Sequence, residues 1–168
     1  MPRLLTAVLI LLLAAAPPVL AQGYGGLSSG LNNRTTNKVV RMLEKGLRQC
    51  QALDAAYRYD CYRQNYRDAA QQLDNNPAYA PAQKALRDVE TTLQSVLRND
   101  TDPATGSIRR RGRTFTAIQE SAVPRSKAAF SAALDEARTR LLRSSSNPGD
   151  HFSRIASVLN SNKVFLRS

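Results

Sequence analysis

The chain has 168 residues, and its 24 Lys and Arg against 13 Asp and Glu give a formal net charge of +11. Nineteen of the basic residues are Arg, whose guanidinium group stays charged at any ordinary pH. The length fits a single domain, and one His with two Cys cannot supply the four N or S ligands of a structural zinc site.

The first 21 residues have the features of a secretory signal peptide. Arg3 gives a positive start, residues 4–16 are almost entirely apolar, and Ala21 ends a stretch of small residues. The apolar run of 13 residues is shorter than the roughly 20 that span a bilayer. We therefore expect cleavage after Ala21, with no transmembrane anchor afterwards; the alternative is an uncleaved anchor. Residues 22–33, rich in Gly, Ser and Asn, are expected to form a flexible leader.

Helical periodicity begins near Asn37, and residues 34–160 are predicted to form one helical domain. Apolar side chains recur at three- and four-residue steps, and Thr35, Thr36 or Asn37 can cap the first helix. A second helix is predicted over 61–73 and a third from Pro81 to about Asn99. The apolar stripes of these helices contain Val39, Leu43, Leu47, Tyr66, Ala69, Leu73, Leu86, Val89, Leu93 and Val96.

The two cysteines decide the topology of the first helices. Cys50 and Cys61 would be about 16 Å apart in one continuous helix, whereas a disulfide needs Cα atoms about 4.4–6.8 Å apart. Either the chain bends between them and a disulfide clamps a helical hairpin, or one long helix carries two free thiols. Because export implies an oxidising compartment, we expect the disulfide.

Tyrosines and arginines alternate along the second helix. Tyr62 and Tyr66 form one stripe and Arg63 and Arg67 the adjacent one. One interpretation is a surface that binds glycans or phosphates by stacking and cation–π contact. The other, which we favour, is that the tyrosines are the core stripe of the helix and the arginines its solvated flank. Tyr57, Tyr59 and Arg58 extend the same alternation.

Residues 100–123 show no clear period and are expected to form a long basic loop, with a short extended piece at 114–118. Four arginines, Arg109, Arg110, Arg111 and Arg113, lie within five residues of this loop. In an exposed loop such a cluster favours binding of phosphate or carboxylate polymers, and the alternative is a solvated run of charge.

A fourth helix is predicted after Pro124, and Asp150 can cap a short fifth helix after the break at 144–149. We therefore predict an all-α fold, a bundle of four or five helices with a disulfide-clamped hairpin near the N-terminus. Residues 161–168 are expected to form a tail. Its apolar residues, which must pack back or contact a partner, are Val164, Phe165 and Leu166.

No motif indicates catalysis or a cofactor. His151 lies beside Asp150, yet no Gly-x-Ser-x-Gly motif presents a nucleophile. Nothing in the residues that flank the carboxylate pairs Asp100/Asp102 and Asp135/Glu136 supplies the apolar pocket that raises a carboxyl pKa in glycosidases. We therefore predict a protein that is not an enzyme and binds neither metal nor cofactor.

The export signal and the Arg- and Ala-rich composition favour a bacterial, periplasmic or secreted protein. Our first hypothesis is an envelope-associated module that binds another protein through the 100–123 loop and the apolar tail. The second is a binder of anionic lipid or another polyanion, with Arg109, Arg110, Arg111 and Arg113 as its contacts. The third is a hydrolase with a site around Asp150 and His151. Nucleic acid is not expected as a partner, because export separates the protein from it.

Overall fold

The computed structural model describes residues 30–146 and 150–166, except for the side chain of Phe165. The predicted signal peptide and most of the predicted leader lie outside these residues. The described chain forms five helices, which confirms the predicted all-α bundle. They are α1 (Asn33–Gln51), α2 (Ala55–Gln71), α3 (Ala80–Asp100), α4 (Val123–Arg143) and α5 (His151–Phe165).

Two helices begin earlier than the sequence predicts. The cap of α1 is Asn32, whose side-chain oxygen accepts a hydrogen bond from the N–H of Thr35 at 2.9 Å. Thr35 lies inside the helix, so the predicted caps were wrong. Helix α2 begins at Ala55, after a bend at 52–54, and not at Cys61. The predicted cap of α5 is confirmed, since the Asp150 carboxylate accepts from the N–H groups of residues 152 and 153.

The helices pack in chain order, and α5 also contacts α1, so the bundle closes on itself. Aromatic rings fill its centre. Phe130 of α4 stacks on Tyr62 with ring centroids 4.9 Å apart, and meets Tyr66 edge-on at 5.7 Å. The amide of Asn162 on α5 donates to the Tyr66 hydroxyl at 2.8 Å, so the only polar atom of that fully buried ring has a partner.

The segment 100–123 is not the long loop that the sequence predicts. It contains an antiparallel β-hairpin of β1 (Ser107–Arg110) and β2 (Arg113–Thr116), which covers part of the extended piece expected at 114–118. Arg111 and Gly112 both have positive φ, 51° and 79°, as a two-residue type I′ turn requires. Strands of four residues, one of them largely basic, are too short to show alternation in the sequence.

The C-terminal boundary also differs from the prediction. Helix α5 continues to Phe165, so residues 161–165 belong to the bundle and do not form a tail. Leu166 packs against the core, whereas Val164 is 58% exposed. Among the described helices, none combines the length and apolar character that crossing a membrane requires.

Candidate functional site

The β-hairpin is fixed to α2 by hydrogen bonds to the edge of β2. The carboxylate of Asp60 accepts from the backbone N–H of Thr116 at 2.9 Å. One helical turn further, the side-chain amide of Gln64 donates to the carbonyl of Thr114 at 2.8 Å. The two side chains therefore take the place of a third strand, and they satisfy backbone groups that an edge strand would otherwise present to water.

The same stripe of α2 holds both ends of β2. The carbonyl of Ala56 accepts from the N–H of Ile118 at 3.0 Å. At the tip of the hairpin, Asp68 forms an ion pair with Arg113. The stripe consists of Ala56, Asp60, Gln64 and Asp68, whose four-residue spacing places them on one face of the helix. The direction and position of the hairpin are thus set by α2.

Asp60 is the central residue of this attachment. Its side chain is almost completely buried, and one oxygen accepts from Nε and Nη2 of Arg63 at 2.9 and 2.7 Å. The other oxygen holds Thr116. A single sequence gives no sign of this contact, because Asp60 and Thr116 are 56 residues apart. Arg63, expected on the solvated flank, is instead largely buried against Asp60.

All four arginines of the cluster are exposed around the tip of the hairpin. Only Arg113 has a carboxylate partner, Asp68, which also lies 3.6 Å from Arg67. Within residues 30–146 and 150–166, no carboxylate forms an ion pair with Arg109, Arg110 or Arg111. The hairpin therefore presents three uncompensated guanidinium groups on a rigid support.

A groove of about 500 Å³ lies between the hairpin and the facing parts of α1 and α2. Arg110, Arg111 and Arg113 line it from the hairpin, and Lys45 lines it from α1. Its apolar lining includes Met42, Phe115 and the Cys50–Cys61 disulfide, and Asp68 is its one carboxylate. The arrangement suits a ligand that is anionic and carries some apolar surface.

A close approach of two helices forms one wall of the groove. A Cβ atom at Gly46 of α1 would lie 2.0 Å from the side-chain oxygen of Asn65 on α2, so only glycine leaves room for that amide. The Asn65 amide donates to the carbonyl of Leu43 at 3.4 Å. Gly46 therefore allows α1 and α2 to approach closely beside the disulfide.

The predicted Cys50–Cys61 disulfide is present, with Cα atoms 5.5 Å apart. It joins the end of α1 to the start of α2, so the clamped helical hairpin is confirmed and the alternative of one long helix is wrong. Both cysteines of the chain are used, and a disulfide of this kind indicates an oxidising or extracellular compartment.

The tyrosines of α2 are core residues. Tyr57, Tyr59, Tyr62 and Tyr66 are each at most 8% exposed, so the glycan- or phosphate-binding surface considered from the sequence is wrong. Burial raises the pKa of Tyr59, and it raises the pKa of Tyr62 to about 12 against the opposing charge of Arg58. Burial also raises the pKa of Tyr66, although its bond from Asn162 lowers it.

The residues considered for catalysis have structural partners. Nδ1 of His151 lies 2.7 Å from the hydroxyl of Thr36, which also bonds Tyr79, and Asp150 caps α5. The buried Asp100, at the end of α3, forms an ion pair with Arg125 at 2.7 Å. This ion pair joins α3 to α4, and the hydroxyl beside His151 is that of the fully buried Thr36.

Two of the three remaining acidic candidates, Asp102 and Asp135, also have structural partners. Asp102 accepts from the Thr105 hydroxyl and from the N–H groups of Thr105 and Ala104, and these bonds lower its pKa. Asp135 forms an ion pair with Lys163, while Glu136 is exposed on α4. Across the described ranges, no group of three or more His, Cys, Asp or Glu could hold a metal ion.

The structure describes the side chains of two of the three predicted apolar contact residues. Val164 is exposed, Leu166 is half-buried, and the side chain of Phe165 lies outside what the structure describes.

Comparison with known proteins finds no matching family model, no matching curated protein and no matching solved structure. The basic hairpin and its groove are therefore the candidate site, on their geometry alone.

Proposed function

We propose that the protein is an exported, non-enzymatic helical module that binds an acidic protein partner in the bacterial envelope. The observation that carries the proposal is the presence of three uncompensated arginines, Arg109, Arg110 and Arg111, on a hairpin that α2 holds in place. Because the backbone of the hairpin is already held in place, its guanidinium groups bind carboxylates with little loss of loop entropy.

The groove favours a protein over a simple ion. Met42, Phe115 and the disulfide supply apolar surface beside Lys45 and the arginines. An acidic segment with an apolar side chain would contact both parts, whereas a small anion would use only the charged one. The disulfide and the sequence features of the first 21 residues support the periplasm or the extracellular space as the location.

The proposal is tested with a fluorescein-labelled decaglutamate peptide as the probe. Its anisotropy is titrated with the protein, expressed from the full chain, between about 50 and about 200 mM salt. We expect binding that weakens with salt and falls about tenfold or more when the four hairpin arginines become Ala. An affinity that does not change when the four arginines are replaced would contradict a role for the hairpin.

The matched control removes four exposed arginines from other parts of the surface. It replaces Arg34, Arg98, Arg138 and Arg143 with Ala, so both variants lose the same charge. If net charge alone attracts the peptide, the two variants weaken equally. The proposal requires that the hairpin variant loses clearly more.

A second candidate function is binding to an anionic membrane or another polyanion. It is favoured by the exposure of all four arginines around one hairpin tip, where they can reach a flat charged surface together. The test is co-sedimentation with phosphatidylglycerol vesicles, and phosphatidylcholine vesicles are the control. Arginine-dependent sedimentation without decaglutamate binding would favour this function over the first.

A further inference from the structure

Among the residues that the structure describes, no strand pairs with the outer edge of β1. Strand β2 lies between β1 and α2, whereas β1 is exposed along most of its length and pairs only with β2 among the described residues. Gly106 and Ala117 form a hydrogen-bonded pair next to the strands, through Ala117 N–H at 2.9 Å. By the alternation of an antiparallel ladder, the N–H and C=O groups of Ser107 and Arg109 point outward from the hairpin.

The charge on this edge selects among strands that could pair with it. If two molecules paired edge to edge, the arginines of the two β1 strands would lie close together, and like charges on neighbouring strands are destabilising. An acidic strand would instead place carboxylates opposite guanidinium groups. The Arg109 carbonyl now accepts only a solvent-exposed bond of 3.2 Å from the Arg110 side chain, which an incoming strand would replace.

We propose that β1 takes up an extended acidic segment of the partner as a third strand of the hairpin. This inference rests on the proposed function and names the conformation of the bound segment. Backbone hydrogen bonds from Ser107 and Arg109 would supply affinity, and the side chains of β1 would supply specificity.

The pleat of the hairpin defines which residues fit the added strand. Ile108 lies opposite Phe115, which lines the groove, so both side chains are on the groove face. A residue opposite Ile108 therefore points to the same face and is expected to be apolar. The residues opposite Arg109 and Arg110 are expected to be acidic, one on each face.

The test uses a fluorescein-labelled octapeptide with one Val followed or preceded by two Glu, and Thr at the other positions. A second version carries N-methyl groups on the amides of the Glu next to Val and of the residues two positions to either side, which would face β1, so it has the same charge but cannot form the antiparallel ladder. We expect the first peptide to bind about tenfold more tightly than the second, which corresponds to about two lost backbone hydrogen bonds. Equal affinities of the two peptides would overturn the inference.

A variant of the protein gives the complementary test. Ser107→Pro removes one outward N–H and no ladder bond or charge, and Ser107→Ala is its matched control. We expect Ser107→Pro to reduce peptide affinity several-fold and Ser107→Ala to leave it unchanged. If Ser107→Pro fails to fold, the comparison of the two peptides still decides, as does hydrogen exchange. In the hydrogen-exchange experiment on the wild type, the backbone amides of residues 107 and 109 should exchange more slowly when the peptide binds.

Failure of this inference is distinguishable from failure of the proposed function. If all three peptides bind in an arginine-dependent way and the two octapeptides have equal affinities, recognition of acidic segments stands and strand addition is wrong. If neither decaglutamate nor either octapeptide binds at low salt, the proposed function fails and this inference fails with it.

Discussion

The carboxylate of Asp60, buried on α2, accepts a hydrogen bond from the backbone N–H of Thr116 in the hairpin at 2.9 Å. Because Arg63 occupies the other oxygen, the carboxylate is fully engaged between the helix and β2. This contact turns a basic segment of the chain into a fixed array of arginines. Changes to Asp60 should therefore affect both stability and binding.

Asp60→Ala should destabilise the protein by about 3 kcal/mol, because it leaves a partly buried N–H and a largely buried guanidinium without their acceptor. Chemical denaturation measures the change in free energy of unfolding. Asp68→Ala is the control, since its ion pair with Arg113 is partly exposed and is worth about 1 kcal/mol or less. Similar losses in the two variants would contradict the central role of Asp60.

Replacing both Cys50 and Cys61 with Ala should lower the free energy of unfolding by about 3 kcal/mol. The disulfide closes a short loop, with a sequence separation of 11, and this constraint on the unfolded chain stabilises the fold. Denaturation of the wild type with and without a reductant measures the same effect without a substitution. A reduced protein as stable as the oxidised one would contradict it.

Two buried hydroxyls should respond in opposite ways to truncation. Thr36 and Ser126 are both fully buried. The Thr36 hydroxyl donates to the Asn32 carbonyl and bonds Tyr79 and His151, whereas the Ser126 hydroxyl has no hydrogen-bond partner in the described chain. We expect Thr36→Ala to cost about 1–3 kcal/mol and Ser126→Ala to be neutral or stabilising. Thermal denaturation of both variants gives the comparison, and a large loss for Ser126→Ala would contradict it.

Gly46 and Asn65 should show strong coupling. Gly46→Ala favours the helix by about 1 kcal/mol, but its Cβ collides with the Asn65 side chain. In an Asn65→Ala background the obstacle is gone, and the same substitution should stabilise the protein. A double-mutant cycle measures the interaction, which we expect to be about 1 kcal/mol or more. Simple additivity would show that the two residues do not compete for space.

The buried tyrosines predict a loss of stability in alkali. The pKa of Tyr62 is raised to about 12 in the folded protein, so it keeps a proton that the unfolded chain releases near its ordinary pKa of 10.0. The unfolded state therefore binds fewer protons, and stability falls as the pH rises from about 10 to about 12. Denaturation across this range, with absorbance of the phenolate, measures it. A free energy of unfolding that stays constant over this pH range would contradict the raised pKa of Tyr62.

Much of the fold could be predicted from the sequence, because its determinants are local. The spacing of Cys50 and Cys61 excludes a continuous helix if they are joined, and Asp150 caps the helix that follows it. The start of α2 was missed because Tyr57 and Tyr59 alternate at its first turn and obscure the helical period. The helical conformation of residues 161–165 was not predicted, because their polar side chains are typical of an irregular C-terminal segment.

The candidate site was predictable only in part. Four arginines within five residues were visible as a cluster, but the position of the hairpin that carries them depends on Asp60 and Gln64, which lie more than 40 residues earlier in the chain. Such long-range pairs leave no periodic signal in a single sequence. Gly112 was the one local sign of a hairpin in the sequence, because Gly tolerates the left-handed region that a tight turn needs, and the structure gives it a φ of 79°.

The most direct test of the account is the affinity of Asp60→Ala for labelled decaglutamate at low salt. The substitution removes a negative charge, so attraction by net charge alone predicts equal or tighter binding. If the fixed hairpin is what binds, loosening it must weaken binding despite the added net charge. We predict weaker binding, and binding as tight as that of the wild type or tighter would contradict the account.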